Sequence, residues 1–254
     1  VIRNVNHMAE GLQKMEATRR RWLADISHEL RTPLTVLRGD IEALHERVRP
    51  LSPEAIEVLH EEVLRLSRLV DDLHLLAISD LQTLPCHKVD DDAVSMLERM
   101  QARYQERAEA AGLFLNVQWP ENIAVVSVHW DAGRIEQLMC NLLDNSLRYT
   151  QSPGEVLIRL AQRDGYVELV VEDSSPGVSS DQLTQLFEPL FRGDVARSSG
   201  SGGSGLGLAI CRIIAVAHDG QLTVSASKLG GLALTFKLPQ VAAMQPSNLI
   251  GSTP

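Results

Sequence analysis

Apolar residues in the first third of the chain recur at alternating steps of three and four. They fall at Leu23, Ile26 and Leu30, and then at Leu34, Leu37, Ile41, Leu44 and Val48. This spacing predicts an α-helix with one apolar side, as in the seam between two packed helices. The pattern slips between Leu30 and Leu34, where Pro33 lies. Because proline cannot donate a backbone hydrogen bond, we expect a bend or local loosening one turn beyond His28.

A second helix is predicted after a turn at residues 49–53. Ser52 can cap this helix, and Pro53 suits its first position. Its apolar residues keep the same alternation and are Ile56, Leu59, Val63, Leu66, Val70, Leu73 and Ala77. Two such helices joined by a short turn form an antiparallel hairpin in which each helix buries only one stripe. A second copy is the natural cover, so the sequence predicts a dimeric four-helix bundle.

The pattern changes after residue 88. Helical segments near 93–111, 131–149 and 206–217 alternate with strand-like segments near 113–119, 124–130, 156–160, 167–172, 222–227 and 232–238. Asp131 can cap the second of these helices. Helices that alternate with strands in this way predict an α/β sandwich of two layers.

Composition and charge narrow the possible functions. The chain has 254 residues, of which 44% are hydrophobic, and this is enough for two cores. A net charge of −9 argues against nucleic-acid binding, because contacts with phosphates need basic residues. The three cysteines, Cys86, Cys140 and Cys211, lack metal-ligand spacing and suit a reducing compartment. Since no run of about 18 apolar residues occurs, we expect a soluble fragment of a longer protein, without direct membrane contact.

The segment 27–34 carries the first candidate chemistry. His28 lies two positions past Ile26, so it is expected to point away from the seam and into solvent. A neutral imidazole has a free ring nitrogen that can attack phosphorus, and Glu29 can orient the ring and accept its proton. By helical position alone, an ordinary surface histidine is the commoner outcome, and that interpretation suits His45, His60 and His74.

Three further segments suggest a nucleotide site. Asn141, Asn145 and Arg148 share one face of a predicted helix, and such a stripe suits a hydrated Mg²⁺ that bridges phosphates. Asp173 ends a strand, where its carboxylate can accept the exocyclic amino group of adenine. Residues 200–207 are rich in glycine and run into a helix, so their amides can wrap an anion. Each feature is weak alone, since surface amides, plain turns and flexible linkers look alike in sequence.

The segments together resemble the motifs of the sensor histidine kinases of two-component systems. The matching stretches are residues 22–34 for the H-box, 141–149 for the N-box, 173–177 for the G1 box, 186–192 for the F-box and 200–210 for the G2 box. In the G1 box, Ser175 stands where the family has its first glycine. Residues 200–207 match neither a Walker loop nor a Rossmann turn. The resemblance implies a Bergerat-type ATP-binding fold, shared with gyrase, Hsp90 and MutL.

The resemblance also implies a role for each matched residue. His28 would be autophosphorylated, Glu29 would assist, and Thr32 would position water for dephosphorylating the partner. Asn145 would ligate Mg²⁺, Asn141 would position the metal or its water, and Asp173 would bind adenine. The other ATP-binding residues would be Arg148, Tyr149, Gly177, Gly203, Gly205, Leu206 and Gly207.

The implied function is that of a protein-histidine autokinase which uses ATP and Mg²⁺. It would pass the phosphoryl group from His28 to an aspartate of a response regulator receiver domain, and it would also act as a phosphatase on that regulator. It would work as a homodimer in the cytoplasmic portion of a bacterial inner-membrane protein. The implied domains are the end of a HAMP-type connector at 1–17, the phosphoacceptor hairpin at 18–82, a linker at 83–88, the ATP-binding domain at 89–240 and a disordered tail at 241–254. Short patterns at 37–39, 69–74 and 146–150 most resemble the envelope-stress sensors within this family.

Other functions remain open at this point. A gyrase-like or MutL-like ATPase would hydrolyse ATP without phosphorylating itself, but those proteins carry a glutamate near the position of Asn141. A scaffold that binds nucleotide only as a switch would be indifferent to His28→Ala. The balance between kinase and phosphatase activity is not fixed by the sequence.

Overall fold

The computed structural model describes residues 2–79, 84–120, 125–174, 176–193 and 203–240, and for residues 2–23 and 79 it describes the backbone alone. The predicted tail, Ser175, the first three residues of the glycine-rich stretch, residue 83 of the predicted linker and the side chains of the predicted connector therefore lie outside the described residues. The chain divides into two compact units, Val1–His74 and Leu75–Pro254.

The first unit is a pair of helices. Helix α1 spans Ile2–His45, and helix α2 begins at Pro53 and runs to Ser79. The predicted cap is confirmed, because Ser52 Oγ accepts a hydrogen bond from the Ala55 amide at 3.2 Å. Helix α1 continues through Pro33 without interruption. Every helix among the described residues is too short or too polar to cross a bilayer.

The buried side of α1 differs from the predicted seam. Pro33 is buried, whereas Leu34 is 50% exposed. The sheltered positions therefore run from Leu30 to Pro33 and on to Leu37, in steps of three and four with no slip. Pro33 was expected only to loosen the helix, although a proline ring is also an apolar group that packs.

Helix α2 likewise carries two apolar stripes rather than one. Ala55 and Leu69 are buried, and they lie one position before the predicted seam residues Ile56 and Val70. Five of the predicted seam residues of the two helices are instead 45–54% exposed, and we call them the outer stripe: Leu34, Ile41, Ile56, Val63 and Val70. Within each helix these residues are seven apart, which is the repeat of a helix that packs against other helices.

The second unit is built on a five-stranded sheet with the order β2-β4-β5-β7-β6. The strands are β2 Leu113–Gln118, β4 Gly154–Arg163, β5 Tyr166–Ser174, β6 Gln221–Ala226 and β7 Gly230–Pro239. Strand β2 is parallel to β4, and the other neighbours are antiparallel. Strands β1 Val89–Asp92 and β3 Ser127–Trp130 form a separate antiparallel pair. Strand β1 was not predicted, because three consecutive aspartates are poor strand formers.

Among the described residues, three helices form the second layer. They are α3 Ala93–Ala110, α4 Ala132–Tyr149 and α6 Gly207–Ala217, and a short helix, α5, spans Ser180–Leu183. Asp131 caps α4 as predicted, since its Oδ1 accepts from the Arg134 amide at 3.1 Å. Alternate strand residues face the helices and are buried: Val156, Ile158, Leu160, Val167, Leu169, Val171, Leu234, Phe236 and Leu238. The predicted two-layer sandwich is therefore confirmed.

Candidate functional site

The candidate phosphoacceptor lies on the surface of α1. His28 is exposed, and Glu29 beside it is partly exposed. Thr32 follows one turn later, where its hydroxyl donates to the His28 carbonyl at 3.3 Å. The imidazole is therefore open to reagents from solvent, and the Thr32 oxygen keeps lone pairs with which to accept a hydrogen bond from water.

Helix α4 presents two contrasting faces to its surroundings. Its buried face consists of Ile135, Leu138, Met139, Leu142, Leu143 and Ser146. Asn141 and Asn145 are only partly exposed, and Arg148 is exposed. The Asn141 side chain donates from Nδ2 to the carbonyl of Gly207 at 3.3 Å. This bond ties the polar face of α4 to the first residue of α6.

The described part of the glycine-rich stretch lies along the same helix. A Cβ on Gly203 would overlap the Arg148 guanidinium and would come within 3.5 Å of the Tyr149 hydroxyl. A Cβ on Gly207 would stand 3.7 Å from the Asn141 amide carbon. The structure thus brings together residues that are more than fifty positions apart in sequence. Glycine at position 203 therefore allows the loop backbone to pack closely against the polar stripe of α4.

Gly205 is held in a conformation that favours glycine. Its φ is +69°, and a Cβ would lie 2.8–2.9 Å from the backbone of Leu190. Its carbonyl accepts from the Leu190 amide at 2.9 Å. The next residue, Leu206, is fully buried and precedes α6. Leu206 therefore anchors the loop to the core, while the glycines on either side of it are partly exposed.

Asp173 is a buried carboxylate at the end of β5. Its Oδ1 accepts from the Leu232 amide at 2.7 Å, and its Oδ2 accepts from the Ser146 hydroxyl at 3.0 Å. Burial raises the pKa of Asp173, and these two hydrogen bonds lower it in part. A Cβ on Gly231 would overlap Asp173 Oδ1, and one on Gly177 would lie 3.2 Å from the Gly230 carbonyl oxygen. Two close backbone approaches thus shape the walls around this carboxylate.

Helix α4 is the element that joins these parts. It carries Asn141, Asn145, Arg148 and Tyr149 on the side of the glycine loop, and Ser146 on the side of Asp173. Sequence reasoning did not assign Ser146. The available signal was a hydroxyl residue at a position where the helical period predicts an apolar one.

The donor set fits a magnesium ion held by amides and phosphates. Among the described residues, no group of three or more His, Cys, Asp and Glu side chains could hold a metal. The amide oxygens of Asn141 and Asn145 are hard oxygen ligands of the kind that Mg²⁺ accepts alongside waters and substrate phosphates. A metal at this place would therefore depend on a bound nucleotide for part of its coordination.

Two protein-family patterns match the chain. Residues 18–82 match the His Kinase A (phospho-acceptor) domain. Residues 130–242 match the family described as histidine kinase-, DNA gyrase B- and HSP90-like ATPase. The first match contains His28, and the second contains α4, Asp173 and the glycine-rich stretch.

The chain is also similar to individual histidine kinases. The signal transduction histidine-protein kinase BaeS of Escherichia coli K12 is 46% identical over 239 residues, which are 94% of this chain and 50% of BaeS. The chain therefore spans about half the length of this relative. Histidine kinase AdeS of Acinetobacter baumannii is 28% identical with a TM-score of 0.68, over 85% of this chain and 98% of the AdeS chain. Full-length ShkA in complex with AMPPNP is 26% identical with a TM-score of 0.62, over 88% of this chain and 46% of ShkA.

Proposed function

We propose, because the chain belongs to the sensor histidine kinases of two-component systems, that it uses ATP to phosphorylate its own His28. The observation that carries the proposal is the arrangement around α4. A polar stripe faces a glycine loop on one side, and a buried carboxylate lies on the other. Such an arrangement suits a nucleotide whose base and phosphates must both be held.

The nucleotide would be bound at three places. Asp173 would accept the amino group of adenine, with Gly177 leaving room for the base. The amides of Gly203, Gly205, Leu206 and Gly207, together with Arg148 and Tyr149, would hold the triphosphate or the sugar. Magnesium held through Asn145, with Asn141 positioning it or its water, would neutralise phosphate charge. ShkA, which resembles this chain in fold, is known in complex with the ATP analogue AMPPNP, and this supports the assignment.

Phosphoryl transfer would then depend on positioning. A ring nitrogen of His28 attacks the γ-phosphorus, a nitrogen–phosphorus bond forms, and the bond to the β-phosphate oxygen breaks to release ADP. The proton on the other ring nitrogen becomes more acidic and can pass to Glu29. The protein contributes mainly geometry and charge neutralisation.

The phosphoryl group would pass next to an aspartate on a response regulator receiver domain. The exposed position of His28 on α1 supports this step, because a partner must reach the phosphorylated ring. For the reverse, phosphatase reaction, Thr32 would hold the attacking water. Its hydroxyl already donates to the His28 carbonyl, so it would act as an acceptor.

A homodimer is the assembly that the hairpin supports. The outer stripe, at heptad spacing on both helices, is an exposed apolar surface that a second hairpin would cover. The chain spans about half the length of BaeS. We propose that it is the cytoplasmic portion of a bacterial inner-membrane sensor, as its resemblance to the family implies.

Incubation with γ-labelled ATP and Mg²⁺ tests the proposal. We expect wild type to become labelled, and His28→Ala and Asn145→Ala to remain unlabelled. His60→Ala is the matched control, because His60 is also an exposed hairpin histidine and should label normally. Full labelling of His28→Ala would refute the assigned acceptor, and full labelling of Asn145→Ala would refute the metal role.

A further inference from the structure

Ser146 is the polar residue on the buried face of α4. Its side chain is 1% exposed, and it follows Leu142 and Leu143 on the same face. A buried hydroxyl needs a hydrogen-bond partner, because leaving it unpaired costs roughly 1–3 kcal/mol. Its partner is Asp173 Oδ2 at 3.0 Å. The hydroxyl thus donates to the carboxylate that, in the proposed function, binds the amino group of adenine.

We propose that Ser146 is a positioning residue that sets the preference of this site for 6-aminopurine nucleotides by donating to the Asp173 carboxylate and fixing its orientation as an acceptor. The inference rests on the proposed function, since it takes Asp173 to be the contact with adenine.

The hydrogen bonds of Asp173 leave its carboxylate able to accept further ones. Oδ1 holds the Leu232 amide and Oδ2 holds the Ser146 hydroxyl. Each carboxylate oxygen can accept two hydrogen bonds, so lone pairs remain for an amino group of a ligand. The two existing donors also fix the rotation of the carboxylate. A ligand amino group therefore meets an acceptor that is already oriented, which lowers the cost of binding.

The protonation state of Asp173 decides which base is accepted. An ionised carboxylate only accepts, so it favours a 6-amino group and repels a 6-oxo group. A protonated carboxyl could instead donate to a 6-oxo group. Burial raises the pKa of Asp173 and thus favours the unwanted form, while Ser146 and the Leu232 amide oppose that shift. Of the two donors, only Ser146 donates through its side chain, so only its hydrogen bond can be removed by substitution.

The test compares three nucleotides on the full chain by titration calorimetry. ATP has a 6-amino group, purine riboside triphosphate has no substituent there, and inosine triphosphate has a 6-oxo group. In Ser146→Ala we expect the ratio of ATP affinity to purine riboside triphosphate affinity to fall about 5- to 10-fold, the loss of one hydrogen bond to a charged group. Affinity for purine riboside triphosphate should stay within about twofold of wild type, because that nucleotide does not use the carboxylate. In Ser146→Cys, which keeps a weak donor, the ratio of ATP affinity to purine riboside triphosphate affinity should lie between those of wild type and Ser146→Ala.

Ser174→Ala is the matched control. Ser174 is adjacent to Asp173, but its hydroxyl accepts from the Glu155 amide at 2.9 Å. This variant should keep the wild-type nucleotide ratio. A second measurement follows ATP affinity as the pH is lowered. The affinity of Ser146→Ala should begin to fall at a higher pH than that of wild type, because Asp173 has lost a hydrogen bond that stabilises its charged form.

The possible results distinguish a failure of the Ser146 role from a failure of the proposed adenine contact of Asp173. If wild type prefers ATP over purine riboside triphosphate and Ser146→Ala keeps the same ratio and pH profile, the role of Ser146 is refuted and the proposed function stands. An equal loss of affinity for all three nucleotides would show a merely structural role and would also refute it. If wild type itself bound ATP and purine riboside triphosphate equally, the adenine contact of Asp173 would fall, and the role of Ser146 with it.

Discussion

The two units of this chain bury their apolar residues in different ways. In the α/β unit, strand residues such as Ile158, Leu169 and Phe236 are at most 1% exposed within a single chain. In the hairpin, the outer stripe stays about half exposed. The α/β unit therefore completes its core alone, whereas the hairpin leaves one side of each helix uncovered within a single chain.

Their polar chemistry differs in the same sense. The hairpin carries His28 on its surface, where a reacting group must be reached. The α/β unit holds Asp173 nearly buried between a helix and a strand, where a recognising group must be fixed. In the proposed function the phosphoacceptor works through exposure and the recognition carboxylate works through restraint, so the two proposed tasks suit different kinds of packing.

The largest expected effect is on assembly of the hairpin. In Ile41→Asp, a charge replaces an outer-stripe residue, and we expect the dimer dissociation constant to rise by at least about 100-fold, because an unpaired charge in an apolar seam costs several kcal/mol. Val36→Asp is the control, since Val36 is equally exposed at 50% but lies on another side of α1. Sedimentation equilibrium measures both. A stable Ile41→Asp dimer, or equal dissociation of the two variants, would contradict the assigned interface.

The next effect concerns a half-buried carboxyl of the hairpin. Burial, together with the charge of Asp71, raises the pKa of Asp72 from 3.8 to about 6, and Arg68 opposes this. A raised pKa means that the folded hairpin prefers the neutral form, so stability is lost as pH rises from about 4 to about 6. Asp72→Asn should therefore stabilise the hairpin by roughly 1–2 kcal/mol at pH 7.5, allowing for partial exposure, and by little at pH 4. Urea unfolding followed by circular dichroism at the two pH values checks this; a gain independent of pH would refute it.

A smaller effect is expected in the α/β unit. Tyr104 is 1% exposed, and its hydroxyl donates to Asp144 Oδ1 at 3.0 Å. Asp144 also pairs with Arg107 at 2.9 Å, so Tyr104→Phe would not leave the carboxylate without a partner. We expect a loss of about 1 kcal/mol in the unfolding free energy of this unit, with no change in dimer dissociation. Tyr166→Phe, at an exposed tyrosine, should change neither quantity, and an equal loss there would argue against the hydrogen bond as the cause.

The smallest effect has the opposite pH dependence to that of Asp72. His218 is buried, donates from Nδ1 to the Ile214 carbonyl at 2.8 Å, and accepts at Nε2 from the Asp131 amide at 3.0 Å. This arrangement requires the neutral ring, and burial lowers the pKa of His218 below 6.5. The unfolded chain takes up the proton first, so the His218 contribution is lost as pH falls below about 6.5. As pH falls below about 6.5, the unfolding temperature of the α/β unit should decrease in wild type but not in His218→Gln. Differential scanning calorimetry measures this temperature.

Much of the fold could be predicted from the sequence. The caps at Ser52 and Asp131 follow from side-chain chemistry that acts over a few residues, and the strand alternation follows from one-sided burial. Which positions of α1 are buried within the single chain could not be predicted, because periodicity alone does not distinguish a side buried within the chain from a side left for another chain. Ser146 was missed since its partner, Asp173, is 27 positions away and only the packing of α4 on the sheet brings the two together.

The most direct test locates the phosphoryl group itself. After incubation of wild type with ATP and Mg²⁺, the chain is digested at neutral to alkaline pH and its phosphopeptides are identified by tandem mass spectrometry. We expect one modified residue, His28, whose phosphate is lost in acid and survives in base. An acid-stable phosphate, or a phosphate on another residue such as His60, would contradict it.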